Sequence, residues 1–140
     1  MSLFNVFDIA GSGMSAHSIR LNTVASNLSN AESAAGSEKE VYRARQAIFQ
    51  ATDGNDFSSA FNKASQGVEV TDVIESDKPV RTRYQPDHAL ADEEGYVYYP
   101  NVNVMEEMAN MISASRTYQS NIQVLQTAKT MMLKTLQLGQ

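Results

Sequence analysis

This chain has no cysteine, no tryptophan and only 3 prolines among its 140 residues. Without thiols there is no disulfide, no thiolate nucleophile and no thiolate-ligated metal. Two histidines, His17 and His88, are too few to fix an imidazole metal site. Cationic residues are also scarce, with 11 Lys and Arg against 16 acids and a formal net charge of −5. No Lys/Arg stripe exists to neutralise phosphates, which argues against a nucleic-acid partner and against an anionic membrane surface. No apolar run is long enough to span a bilayer. A cleaved leader is not expected, because the first basic residue is Arg20 and no apolar core follows it. Composition by itself would leave the protein in the cytoplasm.

Charge is unevenly spread. Residues 1–31 carry only Asp8 and Arg20, and residues 104–140 carry only Glu106, Glu107, Arg116, Lys129 and Lys134. The stretch 32–103 holds 13 acids against 7 bases. At the two neutral ends the apolar residues recur in a 4-3-4-3 spacing. From Leu3 the series runs Phe7, Ala10, Met14, His17, Leu21, Val24, Leu28 and Ala31, of which only His17 is polar. From Val104 it runs Met108, Met111, Ser115, Tyr118, Ile122, Leu125, Lys129, Met132 and Leu136. These are heptad seams about 42 and 50 Å long, and they predict helices over 1–31 and 104–140.

Between the helices the period changes to two. Residues 31–40 and the stretch from Asp53 to Gly67 are small, polar and glycine-bearing, as loops are. Val68 and Val70, then Val80, Thr82 and Tyr84, alternate around Ser76-Asp77-Lys78-Pro79 and predict a β-hairpin. Val41 to Phe49 and Tyr96 to Tyr99 are further strand candidates. The predicted class is α+β: terminal helices pair as an antiparallel coiled coil (1–31 and 104–140), with a small, acidic, hairpin-containing middle (32–103).

Chemistry-bearing motifs are weak. Gly11-Ser-Gly13-Met-Ser-Ala16, with Glu32 further on, matches a dinucleotide fingerprint, but that motif needs a strand before it and here the heptad runs through both glycines. The glycines are read as allowing close helix approach or bending, and His17 as a hydrogen-bonded polar residue that sets register. The turn around His88, Asp92, Glu93 and Glu94 is read as solvated. No activated nucleophile, spaced carboxylate pair or phosphate-cradling loop is present. No enzyme, cofactor, metal or small-molecule substrate is expected.

A helical hairpin would pair Phe7, Met14, Leu21, Val24 and Leu28 with Met108, Met111, Tyr118, Ile122, Leu125, Met132 and Leu136. It leaves Val6, Ile9, Ile19, Met105, Ile112, Val124, Met131, Leu133 and Leu138 off the seam. Covering each large one is worth about 1.5–3 kcal/mol. Ile112, Val124, Met131, Leu133 and Leu138 are therefore the expected subunit–subunit surface.

Ala25-Ser-Asn-Leu-Ser-Asn-Ala31 resembles the A-x-N-L-x-N-A signature of bacterial flagellar axial proteins, the rod and hook subunits. Tyr84 to Gln140, with Gly95-Tyr-Val-Tyr-Tyr-Pro-Asn-Val102, is similar to the short proximal rod members of that family. Asn27, Asn30, Gly95, Tyr96, Pro100 and Asn101 carry the likeness. Ser26, Ser29 and Ala89 depart from the more usual Asn, Ala and Pro. The resemblance implies a structural subunit of the basal-body rod that transmits torque across the periplasm and leaves the cytoplasm through the flagellar type III export apparatus without a cleaved signal. Implied partners are further copies, related rod proteins including proximal-rod neighbours, and the adaptor between MS ring and rod. The rival from another class is a coiled-coil adaptor or secretion chaperone that never polymerises.

Overall fold

In the computed structural model the described residues are 3–52 and 67–138, the side chains of Leu3 and Leu138 excepted. The order of elements is α1 (Leu3–Asn30), β1 (Arg45–Ala51), β2 (Val68–Glu75), β3 (Arg81–Tyr84), β4 (Tyr96–Tyr99) and α2 (Val104–Leu138). Most of the expected loop from Asp53 to Gly67 lies outside the described residues.

Neither helix contains proline, and each end has a local reason. Asn103 caps α2, its Oδ1 accepting the Met105 amide at 3.1 Å, and Glu106 and Glu107 in the first turn complement the helix dipole. In the last turn of α1 the Asn30 amide group donates back to the Ser26 carbonyl at 2.8 Å. The helices pack antiparallel: Val6 lies beside Val124 and Ala128, Gly13 beside Asn121, and Arg20 donates to Asn110 at 2.9 Å. Their deepest contacts are small. Ala10 and Ala16 on α1 and Ala114 and Ala128 on α2 are buried. A Cβ added at Gly13 would sit 2.9 Å from Asn121 Nδ2, whereas one at Gly11 would meet nothing within 4 Å. Only the second glycine is needed for the approach.

The middle differs from expectation in its pairing. β2 and β3 are not the two arms of one hairpin. β1 pairs antiparallel with β2, with a bulge between Ile48 and Phe49, and β3 pairs with β4, giving two separate two-stranded sheets. Ser76-Asp77-Lys78-Pro79 is the link between them. It is held open because Asn101 Nδ2 takes the carbonyls of Lys78 at 2.7 Å and Ser76 at 3.2 Å, and Arg43 also reaches the Ser76 carbonyl. Those oxygens are thereby unavailable to a tight hairpin. Ala35 adds a short antiparallel bridge to Tyr98, and Ala31, Ala44 and Val102, with Tyr42 against them, form a small core where both ends of the middle meet α1.

Candidate subunit interface

The signature residues build a polar joint between the helix pair and the strands. Asn27 is fully buried. Its Nδ2 donates to the Arg45 carbonyl at 2.8 Å, and its Oδ1 accepts the Arg45 amide and the Tyr42 hydroxyl, both at 2.9 Å. The side chain thus replaces a strand neighbour for the first residue of β1. Asn101 does the same work from the other side, its Oδ1 accepting the Ala44 amide at 2.8 Å. Pro100 is fully buried, and its carbonyl accepts from Arg81 Nε at 2.9 Å. Arg81 Nη2 also donates to the Ala31 carbonyl at 2.8 Å, closing the end of α1. Gly95 has φ of 83°, and a Cβ there would stand 2.9 Å from the Tyr84 ring. Tyr96 meets that ring edge-on at 5.4 Å. Asn30 caps rather than bridges.

Four titratable groups stand out. The Asp92 carboxyl is held below its ordinary value chiefly by the Tyr96 amide, against some desolvation, with help from the Tyr98 hydroxyl and the amides of Glu94 and Gly95. It organises the turn into β4. His88 Nδ1 accepts the Leu90 amide at 3.1 Å. His17 departs from expectation: its Nδ1 is buried with no hydrogen-bond partner among the described residues. Its ring lies 5.7 Å from that of Phe49. Burial, then Arg20, lowers its pKa, so the neutral form packs against β1. Glu107, at the start of α2, is also buried with Oε2 unpartnered.

Along the seam, Val24 is buried, and Phe7, Met14, Leu21, Leu28, Met111, Tyr118, Ile122, Leu125 and Met132 are half-buried. Met108 and Leu136 depart from this, at 49 % and 65 % exposed. For Met108 the reason is rotation, since Glu107 and Ala114 face α1 at that end. For Leu136 it is length. Gly13 opposite Asn121 places Leu3 level with Met131, so Leu133 and Leu136 extend past the described start of α1. Ile112, Val124, Met131 and Leu133 are exposed, as are Met105 and Phe4; the Leu138 side chain lies outside the described residues. Val124 and Met131 form, with Val6, a shallow apolar groove of about 420 Å³. No described helix is long and apolar enough to cross a membrane.

Sequence reading found the Asn, Gly and Pro positions of the joint only by their motif. It missed Tyr42, Arg81 and Asp92, which carry much of it. Arg81 fell between Val80 and Thr82 in the predicted hairpin without a role of its own, and Asp92 read as one acid among several. An Asp three residues before a turn glycine was the available signal for the latter.

Long terminal helices paired around a small β middle, with apolar flanks left open, suit the class of flagellar axial subunits that the signature residues resemble. The family described as "Flagella basal body rod protein" matches residues 7–34, and "Flagellar basal body rod FlgEFG protein C-terminal" matches residues 93–138. The flagellar basal-body rod proteins FlgC of Escherichia coli O6:H1 and Salmonella typhimurium are each 53 % identical to this chain over the full length of both. That of Borreliella burgdorferi is 32 % identical over 94 % of this chain and 93 % of its own. The chain belongs to the FlgC family of flagellar basal-body rod proteins, and it is a structural rod subunit.

Proposed function

We propose that this chain polymerises through its terminal helices into the proximal rod and there transmits torque across the periplasm. The observation that carries the reading is the exposed apolar surface of α2. Met105, Ile112, Met131, Leu133 and Leu136 are each more than half exposed, on a helix whose partner covers one face. The β1–β2 ribbon adds to it. Ile48, Val73 and Ile74 are exposed, and an isolated two-stranded ribbon is marginal in water. Neighbouring copies and related rod proteins, including the adaptor to the MS ring, supply the missing cover. In that setting the helix pair winds as a coiled coil, and Leu138 joins the intersubunit surface. Export through the flagellar type III apparatus without a cleaved signal suits a subunit whose surfaces close only on assembly. Among the described residues no catalytic constellation competes with this role.

The test is the double substitution Met131→Gln and Leu133→Gln, which spares the buried and half-buried residues of the helix seam and keeps helix propensity. Each side chain is about half exposed, so covering the remainder is worth about 1–1.5 kcal/mol per contact, repeated at every copy. The expected result is a soluble, exported protein with no rod extension and no filaments by electron microscopy of basal bodies. Normal filaments would show that these faces meet solvent and would favour a non-polymerising adaptor.

A further inference from the structure

The start of α2 lines a cleft of about 340 Å³ between α1, β1 and α2. Its walls are part apolar, from Val24, Ala47 and Phe49. Two acids line it, the exposed Glu106 and Glu107; Glu107 is only 7 % exposed, with an oxygen that no group among the described residues satisfies. Leaving a carboxylate oxygen buried and unpaired costs several kcal/mol. The two guanidiniums that also line the cleft are committed elsewhere. Arg20 donates to Asn110 at 2.9 Å, and Arg45 is paired with Glu75 at 3.2 Å. The space is too narrow for a helix about 10 Å across, and wide enough for side chains projecting from one.

The opposite end of α2 has the complementary surface. Lys129, Leu133 and Leu136, spaced four and three residues apart, fall on one stripe, and all three are exposed. Leu133 and Leu136 lie past the described start of α1 by the helix register. Lys129 pairs with no acid among the described residues, and residues 117–138 carry Lys129 and Lys134 with no acid at all. One end of the helix pair therefore has a buried carboxyl beside an apolar wall, and the other has a lysine with no acidic partner among the described residues beside two exposed leucines.

Resting on the rod reading, we infer that the Glu107 cleft is the receiving site for the Lys129–Leu133–Leu136 stripe of a second copy. The Lys129 ammonium donates to the Glu107 carboxyl, and the leucines cover Ala47 and Phe49. Because the two surfaces are different and lie at opposite ends, the contact is heterologous and propagates head to tail instead of closing as a dimer.

The absence of native cysteine gives a clean test by cross-linking. Positions 107 and 129 are 22 residues apart on one helix, about 33 Å, so a disulfide between Glu107→Cys and Lys129→Cys can only join two copies. In purified basal bodies from cells carrying the double-cysteine chain, a cross-linked ladder is expected on oxidation, with none from either single-cysteine chain. Basal bodies that contain the double-cysteine chain and give no ladder overturn the inference while leaving the rod reading intact. A chain absent from basal bodies, with native sequence as well as variant, overturns both. A second measurement does not depend on cysteines: Glu107→Lys is expected to abolish swarming, and Glu107→Lys with Lys129→Glu to restore it. If the pair swims no better than the single variant, although circular dichroism shows both folded, the proposed contact is refuted.

Discussion

Replacing Asn27 by alanine should unfasten the strands from the helix pair. The amide side chain makes three bonds of 2.8–2.9 Å inside the protein, two to the backbone of Arg45 and one to Tyr42, and it is fully buried. Alanine leaves the Arg45 amide and carbonyl without these partners. Each orphaned group costs about 1–3 kcal/mol when water cannot reach it. The Tyr42 hydroxyl loses less, because Ser26 Oγ remains 3.1 Å away. The expected loss is therefore about 3–5 kcal/mol, a large share of the 5–15 kcal/mol that typically holds a domain together. Urea denaturation followed by circular dichroism would read it as a lower midpoint at unchanged slope. Tyr42→Phe, which removes one partially redundant bond, should cost only about 1 kcal/mol. An Asn27→Ala chain within about 0.5 kcal/mol of the parent would mean that water replaces the side chain, and the joint would not be a determinant of the fold.

Acid should loosen the β3–β4 turn. The folded-state pKa of Asp92 is depressed, so its contribution is present above the usual carboxylate value and disappears as pH falls through the lower folded value, below about pH 4. Amide exchange at Tyr96 should accelerate over that window, and Asp92→Asn should remove the step; the same step in the variant would assign it to another acid. The two α1 glycines should behave oppositely. Gly11→Ala meets nothing within 4 Å and should gain about 0.5–1 kcal/mol of helix stability, whereas Gly13→Ala meets Asn121 at 2.9 Å and should lie at least about 1 kcal/mol below it. Equal melting temperatures would show that the helices have room at both positions.

The helices were legible because their apolar period persists over many turns and no proline interrupts it. Strand locations were partly legible for the corresponding reason: Tyr96 to Tyr99 alternates and is aromatic, and it forms β4. Pairing was not. Ser76-Asp77-Lys78-Pro79 looks like a local turn, and the information that opens it sits on Asn101, more than twenty residues away. Long-range polar bonds leave no periodic trace. Similarly, the seam was readable as a stripe, but its end was not, since the exposure of Leu136 depends on where α1 begins and on the register fixed by Gly13 and Asn121. His17 was misread because a seam position says nothing about whether a ring nitrogen finds a partner.

The division between what is tied and what is left open bears on how a rod can be stiff. Within one chain the strongest bonds are polar and sit where α1, β1, β3 and α2 converge, through Asn27, Arg81 and Asn101. They fix the angle between the helix pair and the β middle by direction-dependent contacts, which apolar packing alone would leave free to slide. The apolar surface left over, from Met105 to Leu136, is spread along the helix pair instead of collected in one patch. Such a surface gains little from a single neighbour and more from several at once. Binding that occurs only in the folded state raises the stability of that state by mass action, so each added neighbour also tightens the subunit it touches. In the proposed role, torque would pass along polar joints inside subunits and apolar contacts between them, and a break at either kind of link would be enough to soften the whole.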